Sequence, residues 1–93
     1  MTVEMKKFGI VLNGRPAGRE AALRLFQIVN GSDNEEKIIL DFSGVEILTP
    51  SFADELLHLI KDKYGIERIK VENAATPAVR DTISTIENEP AHK

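Results

Sequence analysis

Apolar and polar positions along the chain fall into three strand-like runs separated by three helix-like ones. The first run, Phe8-Gly9-Ile10-Val11-Leu12, is short and apolar and ends at the turn pair Asn13-Gly14, the mark of a strand leaving a sheet. Thr2 to Met5 is too short for its pattern to decide whether it adds another strand. In the second run, Lys37 to Phe42, the three consecutive aliphatics Ile38-Ile39-Leu40 predict a central strand covered on both faces. In the third, Ile66 to Glu72, Ile69 and Val71 alternate with Arg68, Lys70 and Glu72, so one face is charged and the strand belongs nearer an edge.

The helix-like runs carry caps as well as periodicity. Pro16 suits the first turn of a helix running to about Asn30, with Gly31 placed to stop it. Ala22, Phe26 and Val29 share one face, widened by Ala21, Leu25 and Ile28. A second helix follows Thr49-Pro50-Ser51 and reaches about Lys63, with Phe52, Leu56, Leu59 and Ile60 on its buried side. Asp54 and Glu55 are read in its first turn and Lys61 and Lys63 in its last, where each charge complements the helix dipole. The third helix begins at Thr76-Pro77 and repeats Val79, Ile83 and Ile86. Residues 88–93 have no apolar anchor and are expected to fray. A β-α-β-α-β-α order at this length implies one α/β domain spanning 1–93, with an ordered core of about 7–87. Its sheet is parallel or mixed, with helices on one face or both.

Composition narrows the chemistry. The 93 residues include no cysteine and only two histidines, which excludes a disulfide scaffold, thiolate metal ligands and a cysteine nucleophile. A net charge of −3 and 5% aromatic residues disfavour direct nucleic-acid binding and an anionic membrane surface. Nothing in the chain has the length of a membrane span or the form of a signal peptide, so a cytoplasmic domain is expected. His58 and His92 are scattered and form no site. Hydroxyls, carboxylates and arginines are left to carry function, and they gather at one place. Residues 41–55 hold four acids (Asp41, Glu46, Asp54 and Glu55) and no base.

Within that stretch Thr49 or Ser51 can cap the second helix, and Ser51 with Asp54 forms a capping-box-like S-x-x-D. Asp41, at a strand end, is expected to anchor the following loop by accepting backbone N–H bonds. Adjacent Asp54 and Glu55 point about 100° apart, so only one of them can face Asp41, and no metal site is read there. Arg15 and Arg19 oppose the dipole of the helix they begin; they are read as solvated residues, or as partners of an external anion or an acidic patch. Gly14 and Gly18 lack the lysine of a phosphate-binding loop. On the functional side, a phosphate on Ser51 would meet the unpaired N–H groups of a helix start.

The segment Asp41-Phe42, Gly44-Val45, Ser51-Phe52-Ala53-Asp54-Glu55-Leu56 resembles the STAS domain family (sulfate transporter and anti-sigma factor antagonist). It is closest to the bacterial STAS-like domains of unknown function. Gly14-Arg15-Pro16 with Arg19 is similar to the family's Arg-led first helix, and Ile69 to Asn73 and Val79 to Ile86 to its last strand and helix. The resemblance extends over most of residues 8–86. It implies a small STAS-like β-α-β-α-β-α sandwich and a non-catalytic regulatory role, with no cofactor and no catalytic residues. Ser51 aligns with the serine phosphorylated in anti-sigma factor antagonists. The implied partner is a serine kinase of histidine-kinase-like fold or a transcriptional regulator, and a homodimer is a further expectation. Asp41, Thr49, Ser51, Asp54 and Glu55 would form the partner-binding loop, flanked by Arg15 and Arg19. Thr49 departs from the acidic residue of the anti-sigma factor antagonists, and Phe52 from the glycine that follows their serine, turning into the core instead. The rival reading is a nucleotide- or anion-binding domain, or a small enzyme, with Asp41, Ser51 and Arg15 in one pocket.

Overall fold

A computed structural model of the chain describes residues 1–30, 36–74 and 77–87, apart from the side chains of 78 and 85–87. The elements run β1 (Thr2–Glu4), a 3-10 turn (Met5–Phe8), β2 (Val11–Leu12), α1 (Arg15–Val29), β3 (Ile38–Asp41), β4 (Ile47–Leu48), α2 (Pro50–Tyr64), a second 3-10 turn (Ile66–Arg68), β5 (Ile69–Glu72) and α3 (Pro77–Glu87). The fold is α/β, with parallel pairing throughout: β1-β3-β5 form one sheet and β2-β4 a second. The predicted stop at Gly31, the start at Thr76 and the tail 88–93 lie outside the described residues.

Several boundaries move. The predicted first strand divides, because Phe8 closes a 3-10 turn and only Val11 and Leu12 pair, with Ile47 and Leu48. Thr2–Glu4 does form a strand and sets Val3 beside Leu40. Val3 and Met5 are buried, so the core begins before residue 7. Ile66 belongs to a 3-10 turn rather than to β5. β3 is central, as its aliphatic run predicts, but its cover is uneven: Ile38 and Leu40 are buried, while Ile39 and Asp41 on the other face are partly exposed.

Helices α1 and α2 make the dominant packing contact. From α1, Ala21, Ala22, Leu25 and Val29 are buried; from α2, Phe52, Ala53, Leu56, Leu57 and Ile60. Phe26 is only partly buried and meets Tyr64 edge-to-face at 5.8 Å. Ile28 does not widen the buried stripe; it lies 42% exposed. On α3, Val79 and Ile83 enter the core.

One small residue sets how closely the two main helices approach. A Cβ added to Gly18 would lie 2.6 Å from the Phe52 carbonyl oxygen and 3.2 Å from its Cα. Both are backbone atoms, which cannot swing aside. Gly18→Ala gains about 1 kcal/mol of helix propensity but forces two packed helices apart, at a cost that overpacking puts at about 1–3 kcal/mol, more at backbone contacts. With the cost at the upper end because the contacts are backbone, the variant is expected to lose a net of about 1–2 kcal/mol in urea denaturation. A variant as stable as the parent would show that the helices do not meet at Gly18.

Candidate functional site

The two parallel strands β2 and β4 deliver their chains, side by side, into α1 and α2. β2 leads through Asn13-Gly14 to Arg15, and β4 through Thr49 to Pro50. Gly14, at φ 90°, turns the first chain in a region that favours glycine. Thr49 is the N-cap of α2: its Oγ1 accepts from the Phe52 N–H at 3.4 Å. The same oxygen accepts from the Gly14 N–H at 3.0 Å. One hydroxyl therefore serves both helix starts.

A threonine hydroxyl has two acceptor lone pairs and one proton. Thr49 spends both lone pairs on Gly14 and Phe52, and Ser51 Oγ lies 3.5 Å away. Ser51 is half-buried at the second position of α2. With Thr49 as N-cap, Phe52 occupies the third helical position. The expected box of Ser51 and Asp54 does not form, because Phe52 has no oxygen to return a bond. Phe52 is buried, as its departure from the antagonists' glycine implies.

Asp54 and Glu55 lie beyond the first turn, which corrects their reading as dipole partners. Arg15 explains them instead. Its Nη1 is 2.8 Å from Asp54 Oδ2 and 3.4 Å from Glu55 Oε1, and Arg19 reaches Glu55 at 3.9 Å. The anion that the two arginines seek is thus supplied by the neighbouring helix. The hydrogen bond that Arg15 donates to Asp54 pushes its guanidinium pKa up. Both arginine side chains are more than half exposed, so the pairs orient α1 on α2 more than they stabilise it.

Asp41 belongs to a different network. Its Oδ1 accepts from the Ser43 N–H at 2.9 Å, the loop anchor its position predicts, and from Asn73 Nδ2 at 2.9 Å. Asn73 has φ 60° just after β5, so this bond ties the end of β5 to the β3–β4 loop. The Ser43 bond, then Asn73, holds the Asp41 carboxyl below the ordinary aspartate range. The structure therefore brings together Thr49, Ser51, Asp54, Glu55, Arg15 and Arg19, and gives Asp41 no hydrogen bond with them. No hydrogen bond or ion pair joins Asp41, Ser51 and Arg15, the rival trio, to one another. Sequence reasoning missed Gly18, Asn73, the double role of Thr49 and Thr82, whose hydroxyl donates to the Leu48 carbonyl at 3.0 Å. Among the described residues no cluster of three or more His, Cys, Asp or Glu could hold a metal. No described helix is long and apolar enough to cross a membrane.

Fold and site together define a small parallel α/β domain in which two helices start from a shared hydroxyl. The model of the family described as STAS-like domain of unknown function (DUF4325) matches residues 20–78, more than half of the chain, and the chain belongs to that family. The match takes in β3, β4 and the whole Ser51–Leu56 motif; Gly14, Arg15, Gly18 and Arg19 lie outside it. No functionally curated protein and no solved structure matches the chain.

Two measurements test the site. Thr49→Val removes the cap and strands the Gly14 N–H; together these are expected to cost about 1–3 kcal/mol. Thr49→Ser, which keeps the oxygen, should stay within about 0.5 kcal/mol of the parent. Equal losses in both variants would remove the hydroxyl from the account. The second test is pH. Because the folded Asp41 pKa is lowered, its contribution is fully present above the unfolded value and is lost as pH falls through the folded one. Asp41→Asn should therefore flatten the acid limb of the stability curve below about pH 4. An unchanged limb would contradict the Asp41 assignment.

Proposed function

We propose that this chain is a non-catalytic regulatory domain that binds another protein through the start of α2, switched by phosphorylation of Ser51 in the manner of an anti-sigma factor antagonist. The observation that carries the reading is the setting of Ser51. Ser51 is half-buried, at the second position of a helix whose cap is already supplied by Thr49. A kinase can take this serine without removing the cap.

A phosphate here adds about −1.5 to −2 charges. The helix start favours that charge, while Asp54 and Glu55, one turn further on, oppose it. Arg15 and Arg19, now paired with those carboxylates, lie within the same surface. The modification thus changes what a partner meets without requiring a new fold. The partner that fits is a serine kinase of histidine-kinase-like fold or a transcriptional regulator in the cytoplasm.

Incubation with the serine kinase encoded nearest the gene, followed by peptide mass spectrometry, should place one phosphate on Ser51 and none on Ser51→Ala. Ser51→Glu should bind the partner at least tenfold more weakly than the parent, with stability changed by less than about 1 kcal/mol. Phosphate confined to other residues, or equal binding by Ser51→Glu and the parent, would overturn the proposal.

A further inference from the structure

The two outer edges of the β2-β4 sheet are finished differently. In β4, the Leu48 carbonyl faces outward and is taken by Thr82 of α3. In β2, the Ile10 carbonyl accepts from Glu46 and Ile47 at 2.9 and 3.1 Å, and the Leu12 carbonyl from Thr49 at 2.9 Å. Val11 sits opposite Ile47 in this ladder. Parallel strands bond through alternate residues, so the Val11 N–H and C=O point away from β4. Among the described residues no strand pairs on that side. An open edge of this kind is a template for another strand.

The open edge also borders a groove. A cavity of about 270 Å³ runs between β2 with the preceding turn and the flank of α1. Partly buried Phe8 and exposed Val11 contribute apolar surface over buried Leu12 and Phe52, Ala17 and Ala21 form a wall without bulk one turn apart on α1, and Asn13 and Glu20 add polar lining. Beside it, Ile10 and Val11 are each 52% exposed and Ile47 48%. Val11 and Ile47 are register partners, so these two exposed side chains sit side by side on one face. Patches of this type mark interaction sites rather than ordinary surface. Basic groups stand at the rim. Lys7 has no ion pair among the described residues, and Arg24 holds only an exposed i,i+4 pair with Glu20 at 3.3 Å. Such a pair is worth little and can admit a second carboxylate.

We propose that this groove binds an extended segment of a partner protein by strand addition to β2. The segment alternates apolar side chains with at least one acidic one. Each feature selects one property of the occupant. The unpaired Val11 N–H and C=O demand main-chain partners, which a small apolar ligand lacks. The floor and the alanine wall take alternate side chains of a strand. Glu20 also lines the cavity and offsets Arg24, so Lys7 is the group that favours acid over base there. A helix would satisfy the apolar surface and leave the Val11 groups unpaired. The groove is separate from Ser51, so the proposal stands independently of the phosphorylation reading.

The test begins with a displayed library of random heptapeptides selected against the full chain. The enriched peptides should alternate apolar and acidic residues. When added to ¹⁵N-labelled protein, they should shift the amides of residues 7–13 and 17–24. Methylating the backbone nitrogens on one edge of the peptide leaves its side chains in place and should weaken binding at least tenfold. Val11→Pro removes the outward N–H without touching the bonds to β4 and should weaken it as much, with circular dichroism unchanged. Lys7→Glu should weaken it at least threefold. Failure of the library to yield any groove-binding peptide would overturn the proposal. So would equal binding by the methylated peptide, or shifts centred elsewhere. If residues 8–12 instead shift with protein concentration alone, the edge is filled by a second copy of the chain, and the partner-segment proposal is wrong.

Discussion

Everything else in this domain depends on the contact that brings the first turns of α1 and α2 together. Two features make it. Gly18 lets the Phe52 backbone approach more closely than any side chain would permit, and the Thr49 hydroxyl binds the Gly14 and Phe52 N–H groups at once. The first removes an obstacle; the second supplies direction. Parallel pairing of β2 with β4 aims both chains at this joint, and the core residues of α1 and α2 then meet along their length. Arg15 and Arg19 lie across the outside of the joint, where screening limits their energy but geometry makes them specific. They read Asp54 and Glu55, two carboxylates on one side of α2.

The sequence made periodic features legible and left tertiary pairings hidden. The aliphatic run Ile38-Ile39-Leu40 marked the central strand, and Ala21, Leu25 and Val29 marked the buried face of α1. Period carries this information because burial repeats with the element. Strands β2 and β4, at two residues each, are too short to show a period, so the division of Phe8–Leu12 could not be seen. Ile28 continued the helical stripe in sequence but lies where α1 has no neighbour. Asp41 was read as a loop anchor because that bond is local, to Ser43. Its second partner, Asn73, is 32 residues away, and no spacing rule reports such a bond. Likewise Arg15 and Arg19 announced a need for negative charge, but only the fold shows that Asp54 and Glu55 meet it. Ser51 could be placed at a helix start. Its freedom from capping depended on Thr49, which sequence alone left as one of two choices.

The domain thus presents two surfaces of different chemistry on the same pair of strands. The chain leaving β4 ends in hydroxyls and carboxylates at the start of α2, a surface suited to a change of charge. The outer edge of β2 offers unpaired backbone beside apolar side chains, a surface suited to an extended chain. Phe52 is common to both: it follows Ser51 in α2 and lines the groove below β2. With no cysteine, no tryptophan and two histidines in the chain, what these two surfaces offer is backbone, shape and charge.

The claim at the centre of this account is that one side chain holds two helix starts. Amide hydrogen exchange measures it most directly, by comparing the parent with Thr49→Val under conditions where the folded state dominates. Gly14 and Phe52 should lose protection together in the variant, by a factor well above that seen at Leu25 in the middle of α1. Loss at Phe52 alone, with Gly14 unchanged, would mean that Thr49 is an ordinary cap for α2 and that the two helices begin independently.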